Sequence, residues 1–316
     1  MSYADILFKN MCEDIINNGT STEGQKVRPV WSDGEKAYTL KKFGVVNEYD
    51  LRKEFPAITF RKTAIKSAMD EILWIFQRKS NNINNLKPHI WDEWADETGS
   101  IGKAYGYQIG QRYIHHKIDT SKMSSKEYIH HHLYMTKEYP SYQEIFDNNN
   151  ININLDQIDA VIYDLKNTPF SRRIMTSIWN FEDLHEMNLQ PCCWSCTFNV
   201  TDEGGDKLVL NMVLNQRSND VLAANNWNVV QYSLLLMMIA QVCDMEAGKL
   251  LHVIADAHIY DRHISLVKEL ITREMYPAPT VKLNPNIKNF YEFTMDDLIV
   301  ENYVTGPQIK NIPIAI

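Results

Sequence analysis

Ile6, Leu7, Met11, Ile15 and Ile16 recur near helical spacing over residues 4–17, and Asn17-Asn18-Gly19 stops the predicted helix. From Thr20 to Pro56 the chain is polar and turn-rich, with Arg28 isolated in Val27-Arg28-Pro29. Ala64, Ile65, Ala68, Ile72, Leu73 and Phe76 predict a second amphipathic helix, with Glu71 close to its apolar face. Asn81 to Lys87 is a loop leading into the aromatic segment Ile90-Trp91-Asp92-Glu93-Trp94. Residues 113–155 change character: His115, His116, His130, His131 and His132 stand among many lysines and serines, followed by Asn148-Asn149-Asn150. So polar a tract predicts a surface excursion or small subdomain that buries little, not a second folding unit.

A helix is predicted from Leu155 to Leu165, after which Arg172-Arg173 lead into Ile174 to Trp179. Leu208, Leu210, Met212 and Leu214 alternate with Val209, Asn211, Val213 and Asn215, which predicts a strand. Val229 to Val242 is apolar on nearly every face, as a central buried helix would be. Strand-like segments follow at Leu251 to Ile254 and Thr280 to Leu283. The interleaving predicts an α/β (α+β) fold, a mixed β-sheet packed by helices. The expected organisation is one domain over residues 1–316 with the polar insertion near 113–155.

Composition narrows the class. With 44% hydrophobic and 23% charged residues the chain is an ordinary globular protein. A formal net charge of -8 argues against a general nucleic-acid or anionic-membrane binder, though not against a local basic pocket for one small anion. The N-terminus lacks the pattern of a secretory signal, and the longest nearly apolar run, Ser233 to Val242, is too short to span a bilayer. Five cysteines, two of them adjacent, do not form a disulfide pattern, so a reducing cytoplasm is expected.

Chemistry concentrates between Pro191 and Asn228. Cys192 is a candidate nucleophile; attack requires thiolate, which Arg172, Arg173 and Arg217 would favour if close. Cys193 and Cys196 lie near it, but no second pair stands at zinc spacing, so no metal is expected. Arginine suits a dianionic phosphate because its planar fork donates two parallel hydrogen bonds, and Arg28, Arg172, Arg173 and Arg217 with Ser218 would suit one phosphomonoester. Arg172 and Arg173, if extended, point to opposite faces, which makes sharing one site within a subunit awkward. His258 and Tyr260 share a face if extended and could hold sugar hydroxyls or sit satisfied in the core. A carboxylate such as Glu71 beside an apolar core is costly unless paired or used.

In joint order and spacing these residues resemble the folate-dependent thymidylate synthase family over nearly the whole chain. The resemblance rests on Glu71-Ile72-Leu73-Trp74, Ile90-Trp91-Asp92-Glu93-Trp94, Gly102-Lys103-Ala104-Tyr105-Gly106, Ser171-Arg172-Arg173, Pro191-Cys192, Gln216-Arg217-Ser218-Asn219-Asp220, Asn228 and Asp256-Ala257-His258-Ile259-Tyr260. It implies that Cys192 adds to C6 of dUMP, that Gln216, Arg217, Ser218 and Arg28 help bind the nucleotide and its phosphate, and that Arg172 and Arg173 come from a neighbouring subunit. A homodimer with stacked sheets is thereby implied. Asn228 matches the uracil-recognising amide, and His258 and Tyr260 the deoxyribose contacts. Glu71 matches the carboxylate that manages protons, and Tyr105 a tyrosine near the nucleophile. Asp220, Trp91, Trp94 and the C-terminal Ile316 match the side that receives 5,10-methylenetetrahydrofolate. The implied reaction makes dTMP and dihydrofolate, with no metal, membrane or nucleic acid required.

The chain departs from the family at two places. Cys193 stands where many members have histidine. Leu222-Ala223-Ala224-Asn225-Asn226-Trp227-Asn228 replaces the usual leucine-glycine-leucine-proline-phenylalanine-asparagine run, with Ala224 where glycine allows close approach to the ligand. The alternative activity is therefore a deoxyuridylate hydroxymethylase, which would release tetrahydrofolate. Asn228 disfavours cytosine, since a dCMP hydroxymethylase would carry aspartate there.

Overall fold

The computed structural model describes residues 1–87 and 90–316. Its N-terminal half contains α1 (Tyr3–Asn18), β1 (Thr20–Ser21), β2 (Thr39–Asp50), α2 (Ile65–Phe76), α3 (Gly106–Ile109), β3 (Tyr113–Asp119), α4 (Ser125–Glu138), β4 (Gln143–Asp147) and β5 (Asn150–Leu155). Then come α5 (Gln157–Asn167), β6 (Met175–Ser177), β7 (Cys193–Thr201), β8 (Val209–Gln216), β9 (Asn219–Asp220), α6 (Asn225–Val242), β10 (Glu246–Tyr260), α7 (Ile264–Leu270), β11 (Thr280–Leu283) and β12 (Leu298–Glu301). The main sheet runs β1-β2-β10-β8-β7-β6, with β9 also paired to β10. It is mixed: β10 is antiparallel to β2 and parallel to β8, and β7 is antiparallel to both β8 and β6.

Helix α6 is the centre of the core. Leu234, Leu235, Leu236, Met238 and Ile239 are buried around its whole circumference, because it packs on the sheet on one side and on α2 on another. Helix α2 is buried along nearly its full length, Asp70 and Glu71 included. Two of the expected elements prove longer. The 251–254 strand belongs to the fifteen-residue β10, and the 229–242 helix begins at Asn225, so that Asn228 lies in its first turn.

Two expectations are corrected. The stretch from Thr20 to Pro56 is not all turn: β2 occupies twelve residues of it and pairs with β10 from Lys249↔Asp50 to Tyr260↔Thr39. Period-two alternation is weak in β2 because Phe43 and Val46 face outward, 89% and 54% exposed, leaving little contrast between its faces. The 113–155 tract also buries more than its composition implies. Strands β3, β5 and β4 form a small antiparallel sheet beside α4, with Ile151, Ile153, Leu155, Met135 and Tyr139 buried. Its buried apolar residues are concentrated in β5 and around Met135 and Tyr139 at the end of α4, while Ile114, Ile129, Leu133, Ile145 and Phe146 stay exposed. The predicted helix from Leu155 begins later, at Gln157, after Asp156 accepts from Asp159 N–H at 3.1 Å as its N-cap.

Candidate active site

Antiparallel pairing places Cys193 opposite Gln216, so Cys192, just before β7, meets Arg217, just after β8. Arg217 N–H donates to the Cys192 carbonyl at 2.9 Å, and its guanidinium donates to the carbonyls of Pro191 (2.9 Å) and Gln190 (2.8 Å). Thus fixed, Nη2 lies 3.8 Å from Cys192 Sγ. Trp179 lies under the same guanidinium, 5.6 Å from its ring centroid. Burial raises the Cys192 pKa, and Arg217 and Arg28 offset this only in part. The expected help to the thiolate from Arg172 and Arg173 does not occur within this chain: both are exposed, in a turn and not an extended strand. Neither forms an ion pair among the described residues.

Tyr105 approaches from the opposite side, its Oη accepting from Cys192 N–H at 3.4 Å. Its φ of 47° is strained for a tyrosine. The flanking glycines explain how the chain reaches that position. A Cβ at Gly106 would lie 2.2 Å from the Ser80 carbonyl oxygen, and one at Gly102, where φ is +74°, would lie 2.0 Å from that of Glu186.

Asn228 is oriented by a chain of buried amides. Burial lowers the His252 pKa to about 3, so its ring is neutral, and Nε2 lies 2.6 Å from Gln216 Oε1. Asn219 Nδ2 donates to the same oxygen at 3.0 Å. The Gln216 amide nitrogen is thereby turned toward Asn228 Oδ1 (3.1 Å) and the Ser218 carbonyl (3.0 Å). Asn228 Nδ2 then donates to Gln231 Oε1 at 3.2 Å. The Ser218 hydroxyl makes no hydrogen bond among the described residues.

Glu71 is 4% exposed and has one indole on each oxygen: Trp91 Nε1 donates to Oε1 at 3.0 Å, and Trp227 Nε1 to Oε2 at 2.6 Å. Burial dominates, and although Trp227, Trp91 and Gln231 hold the pKa down, it rises to about 7. Trp91 also packs against Tyr105 (4.7 Å between centroids) and Trp94 (5.9 Å), so both expected tryptophans belong to one aromatic wall.

The remaining predicted residues converge from β9, β10 and the tail. Asp220 Oδ1 accepts from the N–H groups of Leu222 (3.1 Å) and Ala223 (3.0 Å), with His263 Nδ1 at 3.5 Å. Burial would raise the Asp220 pKa, but His263 and the Ala223 N–H outweigh it and leave the carboxyl below its ordinary value. His258 and Tyr260 share a face of β10, with ring centroids 5.1 Å apart, and His258 Nδ1 lies 2.9 Å from Asp256 Oδ1. Burial pushes Tyr260 up to about 12, with Arg28 and Cys192 both near enough to act on it. Ile316 and Val30 exchange backbone hydrogen bonds (2.9 and 3.0 Å), which joins the C-terminus to the loop carrying Arg28. Pro313 O lies 2.8 Å from His263 Nε2 and ties the tail to the Asp220 side.

Sequence reasoning missed Trp227, His263, His252 and Trp179. Only Trp227 left a signal, as the residue before Asn228 in a segment that departs from the usual run. The histidines of residues 113–155 make local contacts: His115 Nε2 lies 3.1 Å from Asp164 Oδ1, and His116 stacks on Tyr163 at 5.0 Å. No group of three His, Cys, Asp or Glu side chains among the described residues is arranged to hold a metal, and no helix among them is long and apolar enough to cross a membrane.

A mixed sheet that gathers a thiol, a guanidinium, an oriented amide and a buried carboxyl has the groups expected of an enzyme site. The comparisons specify which. The family model described as thymidylate synthase matches residues 7–315. The thymidylate synthase of Bacillus subtilis subsp. natto is 37% identical over 313 residues, covering 98% of each chain, and that of Bacillus phage phi3T is 36% identical with the same coverage. Among solved structures, the thermostable thymidylate synthase A from Bacillus subtilis matches with a TM-score of 0.81 and 36% identity over 100% of both chains. The chain belongs to the thymidylate synthase family, and it is an enzyme, a transferase of nucleotide biosynthesis.

Proposed function

We propose that this enzyme converts dUMP to dTMP through a covalent adduct on Cys192, with 5,10-methylenetetrahydrofolate as co-substrate. The family supports dUMP methylation in general; the observation that carries the assignment of steps is Arg217 Nη2 at 3.8 Å from Cys192 Sγ. One cation there stabilises a thiolate and faces a phosphate with its remaining donors. Arg28 and Ser218 complete that grip, and the Asn228 amide pairs with the O4 and N3 edge of uracil. His258, held at Nδ1 by Asp256, and Tyr260 hold the sugar hydroxyl.

Thiolate addition to C6 pushes charge toward O4, where the Asn228 amide stabilises it, and makes C5 nucleophilic. The bound folate supplies the one-carbon unit and the hydride. The site fits such a cofactor: Trp91 and Trp94 form an aromatic wall, and ionised Asp220 offers an acceptor to a pterin ring. Glu71, with a pKa of about 7, can both take and return a proton near neutral pH. The docked tail at Ile316 keeps water from the site. The direct test is the folate product. Dihydrofolate formed in step with dTMP supports this reading; tetrahydrofolate with a hydroxymethylated nucleotide overturns it.

We also propose that the active form is a homodimer in which Arg172 and Arg173 reach the neighbouring protomer's phosphate. Both are exposed and unpaired among the described residues, while Val46, 54% exposed, and the half-buried Val253, Leu251 and Val213 leave one sheet face partly uncovered. A second copy stacked on that face would cover it and add two cations to each site, favouring the thiolate that burial disfavours. Co-expressing a Cys192→Ser chain with an Arg172→Ala/Arg173→Ala chain should give about a quarter of the natural activity, because half the dimers are mixed and each carries one intact site. No activity above that of the two variants alone would place these arginines in their own subunit's site.

A further inference from the structure

The shortest contact to Glu71 comes from a residue to which the family resemblance assigns no role. Trp227 Nε1 donates to Oε2 at 2.6 Å from the first turn of α6, while Trp91 Nε1 reaches Oε1 at 3.0 Å from the loop after α2. Phenylalanine, usual at this position, fills a similar space but has no N–H to offer. A carboxylate oxygen has two acceptor sites, so with one indole on each oxygen and Gln231 beside them the group is fixed and still keeps an acceptor site for water or substrate. Trp227 also adjoins Asn228, so one helical turn presents both the ring-recognising amide and the clamp on the proton carrier.

We propose that Trp227 is a positioning residue: its indole N–H, with that of Trp91, locks the Glu71 carboxylate between α2 and α6 and so sets its orientation toward the substrate ring. The proposal rests on Glu71 being the proton-managing group of the reaction proposed above. It has a consequence for pH. The titratable groups facing Glu71 are Asp70 on α2, Tyr105, Cys193 on β7 and Tyr232 on α6. Asp70 is engaged by Arg78 at 2.8 Å. Burial pushes the other three far up, so they stay neutral near pH 7. Burial against donated hydrogen bonds therefore decides where Glu71 ionises, and each donor favours the charged form.

The test is carbon-13 NMR of protein labelled at the glutamate side-chain carboxyl, with the Glu71 resonance assigned by its loss in Glu71→Gln. In Trp227→Phe its midpoint should rise by about one pH unit, the scale of one hydrogen bond to a charged group. The acid limb of kcat should move to higher pH by the same amount while the KM for dUMP stays put. A residue serving only as packing would leave both midpoints where they are. In the unsubstituted protein, which removes any question of misfolding, the Trp227 indole N–H resonance should titrate with the Glu71 midpoint. An unchanged carboxyl midpoint in Trp227→Phe, or an indole resonance that ignores the titration, overturns the clamp. A clamp seen by NMR in a protein that makes no dTMP would refute the proposed reaction instead.

Discussion

Cys192→Ser is expected to lower kcat on the order of 10⁴-fold or more while dUMP still binds, because it removes the proposed nucleophile and leaves its setting intact. A serine hydroxyl ionises far less readily than a thiol, and among the described residues the groups in contact with Cys192 are a guanidinium, a phenol and backbone, none of which would act as its base. Arg217 is held by the carbonyls of Gln190 and Pro191, so its proposed grip on phosphate does not depend on the sulfur. The amides that orient Asn228 are likewise anchored at His252 on β10. The unsubstituted protein, incubated with 5-fluoro-dUMP and methylenetetrahydrofolate, should gain the mass of both ligands on the peptide containing Cys192, and Cys192→Ser should gain neither. Turnover that survives the substitution, or an adduct on Cys193, would move the nucleophile elsewhere.

What the sequence made legible was residues whose chemistry is local to a short run. Cys192, Arg217, Ser218, Asp220 and Asn228 lie within 37 positions. One antiparallel pairing brings Cys192 to Arg217, the short pairing of β9 with β10 sets Asp220, and the start of α6 sets Asn228. Glu71 stood out because a carboxylate on an apolar helix face requires a reason. What stayed hidden depends on contacts distant in sequence. Strand β2 pairs along its length with β10, some 200 residues later, a partner that its own weakly alternating residues do not announce. His252 sits in an apolar strand, and nothing in the sequence marks it as the support for Gln216. His263 acquires meaning only once Asp220 lies on one side and Pro313 on the other. Trp227 could be seen as a substitution for phenylalanine, but not as a donor to a residue 156 positions away.

Glu71→Gln should lower kcat by about 10²- to 10⁴-fold, the usual worth of a positioned acid–base group, and should also change how stability depends on pH. The sign follows from the raised pKa. In the folded protein Glu71 titrates at about 7, against 4.5 for an unperturbed glutamate, so folding favours its protonated form. Its contribution to stability is full below pH 4.5 and is lost as pH rises through 7, amounting to about 3 kcal/mol between those limits. Glutamine does not titrate, so this loss disappears in the variant. Glutamine has its own cost, because its amide nitrogen cannot accept from an indole and leaves either Trp91 or Trp227 unpaired, at about 1–3 kcal/mol. That cost is the same at every pH. Urea unfolding at pH 5 and pH 8 separates the two effects: the variant should be the less stable protein at pH 5 and should recover most or all of the difference by pH 8. Parallel pH profiles for the two proteins would mean that Glu71 is already ionised at pH 5, in which case it could not serve as a proton carrier near neutrality.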